Sequence, residues 1–223
     1  MLYIVATPIG NLNDITLRAL KVLKSVDFIL AEDTRTTRKL LLKYSIRSKL
    51  FSYNDYNKQM KTKLAIRLLN QGKKIALVSE SGTPCISDPG YYLVRACIKN
   101  NIDISCIPGV SAVITALVVS GMPTDSFLFL GFLPKSKEKR KRLLLGLKNE
   151  ERTVVCFESP HRLISTLEII ESVLKEWHIA VCRELTKKFE NVVRFEACQL
   201  KEHLSEIKCR GEITLVMSRK GIS

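Results

Sequence analysis

Four short segments hold the residues with the clearest chemical use: TPIGNL at residues 7–12, SESGTPCISDPG at 79–90, PGVSA at 108–112 and FESPHR at 157–162. Each follows a short apolar run and is rich in glycine, proline and hydroxyl residues. Turns of this make-up at the C-terminal ends of strands aim free backbone amides and helix N-termini at a ligand, which is where open α/β sheets bind. Asp88-Pro89 and Ser111 have a second use, as the starts of helices. Absent motifs narrow the chemistry further. No GxGxxG follows the first apolar run and no GxxxxGK[ST] occurs, so the common dinucleotide and P-loop nucleotide sites are excluded. GxSxG is missing, and His161, His178 and His203 all fall late in the chain, so a serine-hydrolase triad has little support.

The charge points to an anionic partner. The 223 residues carry a formal net charge of +14, and the isoelectric point is near 9.6. Between residues 34 and 75 stand twelve basic residues and one acid, a local net of +11. Arg35, Arg38, Lys39 and Lys43 recur at spacings that put them on one helical face. Tyr44, Phe51, Tyr53 and Tyr56 lie among these charges and suit stacking on unpaired bases, as in readers of single-stranded RNA; their other use is as core. A second run at 135–142, KSKEKRKR, holds six basic residues and one acid. Its Lys137 and Arg140 are expected to grip a phosphate backbone across a cleft from the first patch. Neutralising about six phosphates would cost roughly a thousandfold in affinity between ~50 and ~200 mM salt.

Other partners are disfavoured. The longest purely apolar stretches, such as 28–31 and 75–78, fall far short of the ~18 residues a membrane span needs. The first ten residues lack the basic region of a signal peptide, so the expected location is the cytoplasm. The seven cysteines are odd in number and scattered. Without HExxH or CxxC spacing, reduced core thiols are expected and no metal.

The elements that position these segments follow from periodicity. Apolar runs at 2–6, 28–31, 75–79, 102–107, 127–132, 153–157, 179–182 and 213–217 read as strands, most of them apolar throughout, as strands buried on both faces are. Ile15, Ala19, Leu23 and Val26 form a helical stripe, and so do Leu163, Leu167, Ile170, Leu174 and Trp177. Ser159 and Pro160 fit the start of the latter, and Gly72 fits the stop of a helix through 64–69. Alternating helices and buried strands predict an α/β protein. The SGMPTD segment at 120–125 is the expected linker, dividing the chain into α/β domains at 1–120 and 126–223.

These segments carry a resemblance. TPIGNLNDIT, AEDTRTTRKLL, SYNDYN, LVSESGTPCISDPG, PGVSA, FESPHRL, RELTKKFE and GEITLVM, in that order from residue 2 to about 217, resemble the ribosomal small-subunit methyltransferase I family of the tetrapyrrole-methylase superfamily. The resemblance implies two α/β domains of the tetrapyrrole-methylase type with S-adenosylmethionine in the cleft between them, usually in a homodimer. It implies methylation of the ribose 2′-oxygen of a cytidine in the 16S rRNA decoding centre. By position, the cofactor site takes Pro8, Gly82, Thr83, Ile86, Ser111 and Ala112, then Glu158, Leu185, Glu212 and Ile213.

Some positions depart from the family pattern. Glu80, Ser81 and Cys85 stand where an aspartate, an alanine and a glycine are usual, Val110 replaces a common proline, and SYNDYN lacks the usual histidine. Such a transfer needs an oxygen nucleophile held in line, and a general base near it contributes ~10² to 10⁴-fold. Asp33, Glu80, Glu158 and His161, near strand ends, are the candidates for that base. Glu32-Asp33 has a competing use as a helix cap, and His161 as a surface residue of a first turn. Two rival readings share these features: a precorrin-type tetrapyrrole C-methyltransferase and a non-catalytic, RNA-binding ribosome-assembly factor.

Overall fold

The computed structural model describes residues 1–221. The chain packs as two units, Met1–Ser111 and Ala112–Ser223. The first is a parallel sheet built from β1 (Leu2–Val5), β2 (Phe28–Ala31), β3 (Lys49–Ser52), β4 (Ile75–Val78) and β5 (Ile104–Ile107), ordered β3-β2-β4-β1-β5. Its crossovers contain α1 (Leu17–Ser25), α2 (Thr34–Lys43), α3 (Lys58–Asn70) and α4 (Gly90–Lys99).

Alternation inside the apolar strands sorts their side chains onto two faces. Val5, Ile29, Ala31, Ala76 and Val78 meet Ala19 and Leu23 of α1 and Leu40 and Leu41 of α2. Leu2, Ile4, Leu30, Ile75 and Leu77 meet Ala65 and Leu69 of α3 and Leu93 and Cys97 of α4. Thr16 caps α1 and Asp33 caps α2 through their side chains, and Gly72, at φ +80°, follows α3.

The second unit begins with α5 (Ala112–Ser120), followed by β6 (Phe127–Phe132), α6 (Lys137–Leu145), β7 (Thr153–Glu158), α7 (Leu163–Val173), β8 (His178–Arg183), β9 (Asn191–Glu196), α8 (Leu200–His203) and β10 (Ile213–Ser218). The sheet order is β6-β7-β10-β8-β9, parallel only between β6 and β7. One face buries Leu144 of α6 with Leu163, Leu167 and Ile170 of α7, and the expected α7 stripe continues through Leu174 to Trp177. Pro160 opens a 3-10 turn before α7, so Ser159 flanks that turn rather than α7 itself.

Helix α5 packs on β7, β8, β9 and β10. Its last carbonyls, those of Val119 and Ser120, accept from the Arg194 guanidinium of β9. The expected linker at 120–125 is fastened to the same unit, where Thr153 Oγ1 donates to the Pro123 carbonyl at 2.6 Å. By packing, the units therefore divide ahead of α5, at 111/112 instead of 120–125. An apolar helix follows the sheet that buries it, whatever the turn residues beyond it. Among the described residues no helix is long and apolar enough to cross a membrane, and no group of His, Cys, Asp and Glu is placed to hold a metal ion.

Candidate functional site

The order β4-β1-β5 puts the ends of three neighbouring parallel strands side by side, so TPIGNL, SESGTP and PGVSA must meet. They do so through the backbone. Thr7 and Gly82 exchange two hydrogen bonds, 2.9 Å from Thr7 N–H and 3.0 Å from Gly82 N–H. Thr83 Oγ1 donates to the Val110 carbonyl at 3.0 Å, tying the second loop to the third. Ser79 Oγ donates to the carbonyls of Ser81 and Gly82. Gly82 sits at φ +78°, and a Cβ there would lie 3.3 Å from Ile9 Cγ2. A Cβ on Gly109 would stand only 2.9 Å from the Cβ of Ala6, so both glycines let backbone come close.

Inside this cluster the Thr7 hydroxyl is buried and has no hydrogen-bond partner. A buried hydroxyl without a partner costs on the order of 1–3 kcal/mol, and a polar ligand at the loops would satisfy it. Pro8 is buried beside it, Thr83 and Ser111 are half-buried, and Ile86 is exposed. Three backbone-rich loops around an unsatisfied hydroxyl fit a polar, adenosine-bearing cofactor.

One strand over, β2 and β4 bring Glu32 beside Glu80: the Glu80 N–H donates to Glu32 Oε2 at 3.2 Å. Burial pushes the Glu32 carboxyl above the ordinary carboxylate range; the Glu80 amide opposes this, and the charges of Asp88, Glu80 and Asp55 reinforce it. Asp88 shifts the same way through burial, although its carboxylate accepts the amides of Cys85 and Gly90 at 2.8 and 2.7 Å. Cys85 lies at φ +74°, the left-handed region, where the family's usual glycine is free of strain. Burial pushes its thiol up to about 12.

The proposed general bases separate clearly. Asp33 caps α2 through the Arg35 N–H at 2.7 Å and pairs with the Arg35 guanidinium at 3.0 Å. The Arg35 side-chain hydrogen bonds hold its carboxyl below the usual range, so it serves as a cap and not as a proton acceptor. Glu158 is fully engaged within the fold: its carboxylate accepts from Thr166 Oγ1 and from Ser159 N–H at 2.6 Å each and pairs with Arg162 at 2.6 Å. Lacking a free lone pair toward solvent, Glu158 is structural, not a base. Glu80 and His161 are exposed. Glu32, read from sequence only as a cap, is the carboxylate that stands beside Glu80. Its signal was present in AEDTR, but only the β2–β4 pairing reveals its neighbour.

At the end of the second sheet, pairing brings Ile213 opposite both Glu158 and Arg183. Leu185 and Ile213 are buried and Glu212 is exposed. The Glu184 N–H donates to the Glu212 carbonyl, the Glu212 N–H to Glu184 Oε1, and Lys187 pairs with both carboxylates at 2.8 and 3.0 Å. Ala112 is half-buried as the first residue of α5.

The basic residues divide as well. Arg35, Arg38, Lys39 and Lys43 are exposed on α2 while Thr37, Leu40 and Leu41 face inward, as their spacing predicts. Lys137 is exposed at the start of α6. Arg140 is not available to a phosphate: it is 2% exposed and donates to the carbonyls of Pro134 and Lys135 and to Ser165 Oγ. It shares the inward face of α6 with Leu144, one turn further on. Of the aromatics, Tyr53 is core, bonded to Thr62 Oγ1 at 2.9 Å, and the Tyr44 hydroxyl donates to the Leu12 carbonyl at 2.7 Å. Phe51 packs on Phe28, and Tyr56 stands wholly exposed.

Comparison with known proteins gives this arrangement its relatives. Residues 1–201 match the tetrapyrrole (corrin/porphyrin) methylases. The chain is 48% identical over 219 residues to the ribosomal RNA small subunit methyltransferase I of Thermotoga maritima, covering 98% of each. It is 46% identical over 220 residues to that of Halalkalibacterium halodurans, covering 99% of this chain and 76% of the relative. Among solved structures, a cobalt precorrin-4 methyltransferase superposes with TM-score 0.72 at 18% identity, covering 97% of this chain and 94% of the other. A uroporphyrin-III C-methyltransferase from Thermus thermophilus, complexed with S-adenosylhomocysteine, gives 0.62 at 15% identity, covering 97% and 96%. The fold is that of the tetrapyrrole methylases, and the chain belongs to that family and, within it, to the ribosomal RNA small subunit methyltransferases I.

Proposed function

We propose that this chain is a methyltransferase that moves the methyl group of S-adenosylmethionine to the ribose 2′-oxygen of a cytidine in the decoding centre of 16S rRNA. The observation that carries this is the three-loop cluster around the unpartnered Thr7 hydroxyl, with the exposed basic face of α2 following the adjacent strand β2. Pro8, Gly82, Thr83, Ile86 and Ser111 hold the cofactor, mainly through main-chain amides and carbonyls. When bound, S-adenosylmethionine supplies a methyl carbon already activated by the sulfonium.

The chain's own tasks are to orient the ribose and to take its proton. Arg35, Arg38, Lys39, Lys43 and Lys137 hold RNA phosphates. Glu80, with Glu32 fixing its main chain, accepts the hydroxyl proton, and general-base assistance contributes ~10² to 10⁴-fold. The exposed apolar residues Tyr91, Tyr92 and Ile98 of α4 support a homodimer, which sedimentation would reveal.

The test uses small ribosomal subunits from cells lacking this modification, incubated with protein and methyl-labelled S-adenosylmethionine, followed by mapping of the label. A single 2′-O-methylcytidine is expected. No label in RNA, with label in a precorrin supplied in a parallel incubation, would overturn the proposal in favour of tetrapyrrole chemistry. Cofactor and RNA binding without transfer would overturn it in favour of an assembly factor. Glu80→Gln and Glu32→Gln should each slow transfer more than Asp33→Asn or Glu158→Gln among folded variants.

A further inference from the structure

The turn between β8 and β9 carries an aromatic side chain that none of the roles above uses. Phe189 is 57% exposed there, large for a phenylalanine in a tightly bonded turn. Its position is fixed: the buried Arg183 guanidinium donates to the Phe189 carbonyl at 2.6 Å, and Lys187 N–H and Glu190 N–H close successive bonds to the carbonyls of Glu184 and Lys187. Glu184 and Thr186 adopt positive φ to make the turn. The ring is thus held out by the backbone instead of being left over by packing.

The charges around it are arranged one-sidedly. All three nearby acids are engaged within the turn: Glu184 and Glu212 pair with Lys187, and Glu190 accepts from the Thr186 N–H. Lys188 and Arg210 instead lie over the Phe189 ring, at 5.7 and 5.9 Å from its centroid. Among the described residues neither of these two is ion-paired with an acid. An exposed aromatic face bordered by unpaired cations is the pattern that takes one unstacked base on the ring and its phosphates on the cations.

We infer that Phe189, Lys188 and Arg210 form a platform for a single-stranded RNA nucleotide. It rests on the proposed function only in taking the RNA to be that of the small subunit. A base entering over the ring displaces one exposed cation, which moves to the adjoining phosphate; an acidic protein surface would gain from the cations and nothing from the ring.

Two readouts separate this inference from the functional proposal: filter binding of a cytidine-rich single-stranded RNA oligonucleotide, and methyl transfer to undermodified small subunits. Phe189→Ala should weaken oligonucleotide binding and raise KM for subunits by about tenfold. Phe189→Tyr should restore both, and S-adenosylhomocysteine binding should stay unchanged in each. Lys188→Gln with Arg210→Gln should lower the steepness of the log affinity against log salt plot by roughly 0.7 per lost phosphate contact. Unchanged oligonucleotide binding in Phe189→Ala would overturn the platform, as would a loss accompanied by a change in oligomeric state. Binding that responds as expected, in a protein that transfers no methyl group to RNA, would uphold the platform and overturn the functional proposal alone.

Discussion

At the ends of β1, β4 and β5 the loops bond to one another's main chain and leave the buried Thr7 hydroxyl without a partner, whereas at the ends of β7, β8 and β10 the carboxylates of Glu158, Glu184 and Glu212 are each tied to a cation. Both sets of loops sit at a sheet end, and both contain the carboxylates and turns that suggest a site. The difference is what the side chains are occupied with. In the parallel sheet, adjacent crossover loops bond to one another's main chain, with Thr83 and Ser79 donating to main-chain carbonyls, and the Thr7 hydroxyl is left for a ligand. In the mixed sheet, β7 and β8 both run against β10, so their C-terminal ends meet the start of β10, and ion pairs hold the loops there.

Breaking the held region should cost the most stability. Glu158→Ala leaves the Arg162 guanidinium and the Thr166 hydroxyl without their partner and should destabilise by about 3 kcal/mol in urea unfolding. Glu80→Gln, at the open end of β4, should stay within about 0.5 kcal/mol. If the two cost the same, the contrast between the sheets fails. Gly82→Ala comes next: a side chain at φ +78° with Ile9 at 3.3 Å should lose about 1–2 kcal/mol. At roughly 2–4 °C per kcal/mol for a chain of this size, thermal melting would register it.

Cys85 sharpens the same point in the opposite sense. Cys85→Ala keeps the left-handed backbone and loses the partly buried sulfur, whereas Cys85→Gly removes the strain. The glycine variant should be the more stable of the two by about 1 kcal/mol, as chemical denaturation would measure.

The smallest effect is in pH. Burial raises the Glu32 carboxyl, so the folded state binds its proton more tightly than the unfolded chain, and this group's contribution falls as pH rises through the window just above the ordinary carboxylate range. The Arg35 hydrogen bonds lower Asp33, so its contribution is present above that range and lost as pH falls below it. Stability measured against pH should therefore gain at neutral pH in Glu32→Gln and lose there in Asp33→Asn. A shared direction would contradict the assignment.

Much of this was legible in sequence because interior strands are apolar throughout and their turns carry glycine and proline. The strands at 2–5, 28–31, 75–78 and 213–218 follow from those runs. Two edge strands do not: β3, KLFS, is short and charged, and β9, NVVRFE, alternates, so neither looks like a strand buried on both faces. Charge periodicity placed Arg35, Arg38, Lys39 and Lys43 correctly on an exposed face. It gave no warning that Arg140 turns inward or that Glu158 finds Arg162, since a helical spacing names a face and not the partners across it. Tyr53 and Tyr56, three residues apart in the turn between β3 and α3, end at opposite extremes of burial, and no periodicity in a turn sorts them. Thr7 was visible within TPIGNL, but that its hydroxyl lacks a partner depends on where Gly82 lands.

Calorimetric titration of S-adenosylhomocysteine into the wild type, Gly109→Val and Glu158→Gln tests the role of the open loops most directly, with circular dichroism confirming that each variant is folded. A valine Cβ at position 109 would stand 2.9 Å from that of Ala6 and push the PGVSA loop away from Thr7 and Gly82. The expected result is a loss of at least about tenfold, ~1.4 kcal/mol, in Gly109→Val and near-native affinity in Glu158→Gln. Full affinity in Gly109→Val, with loss confined to Glu158→Gln, would contradict the account.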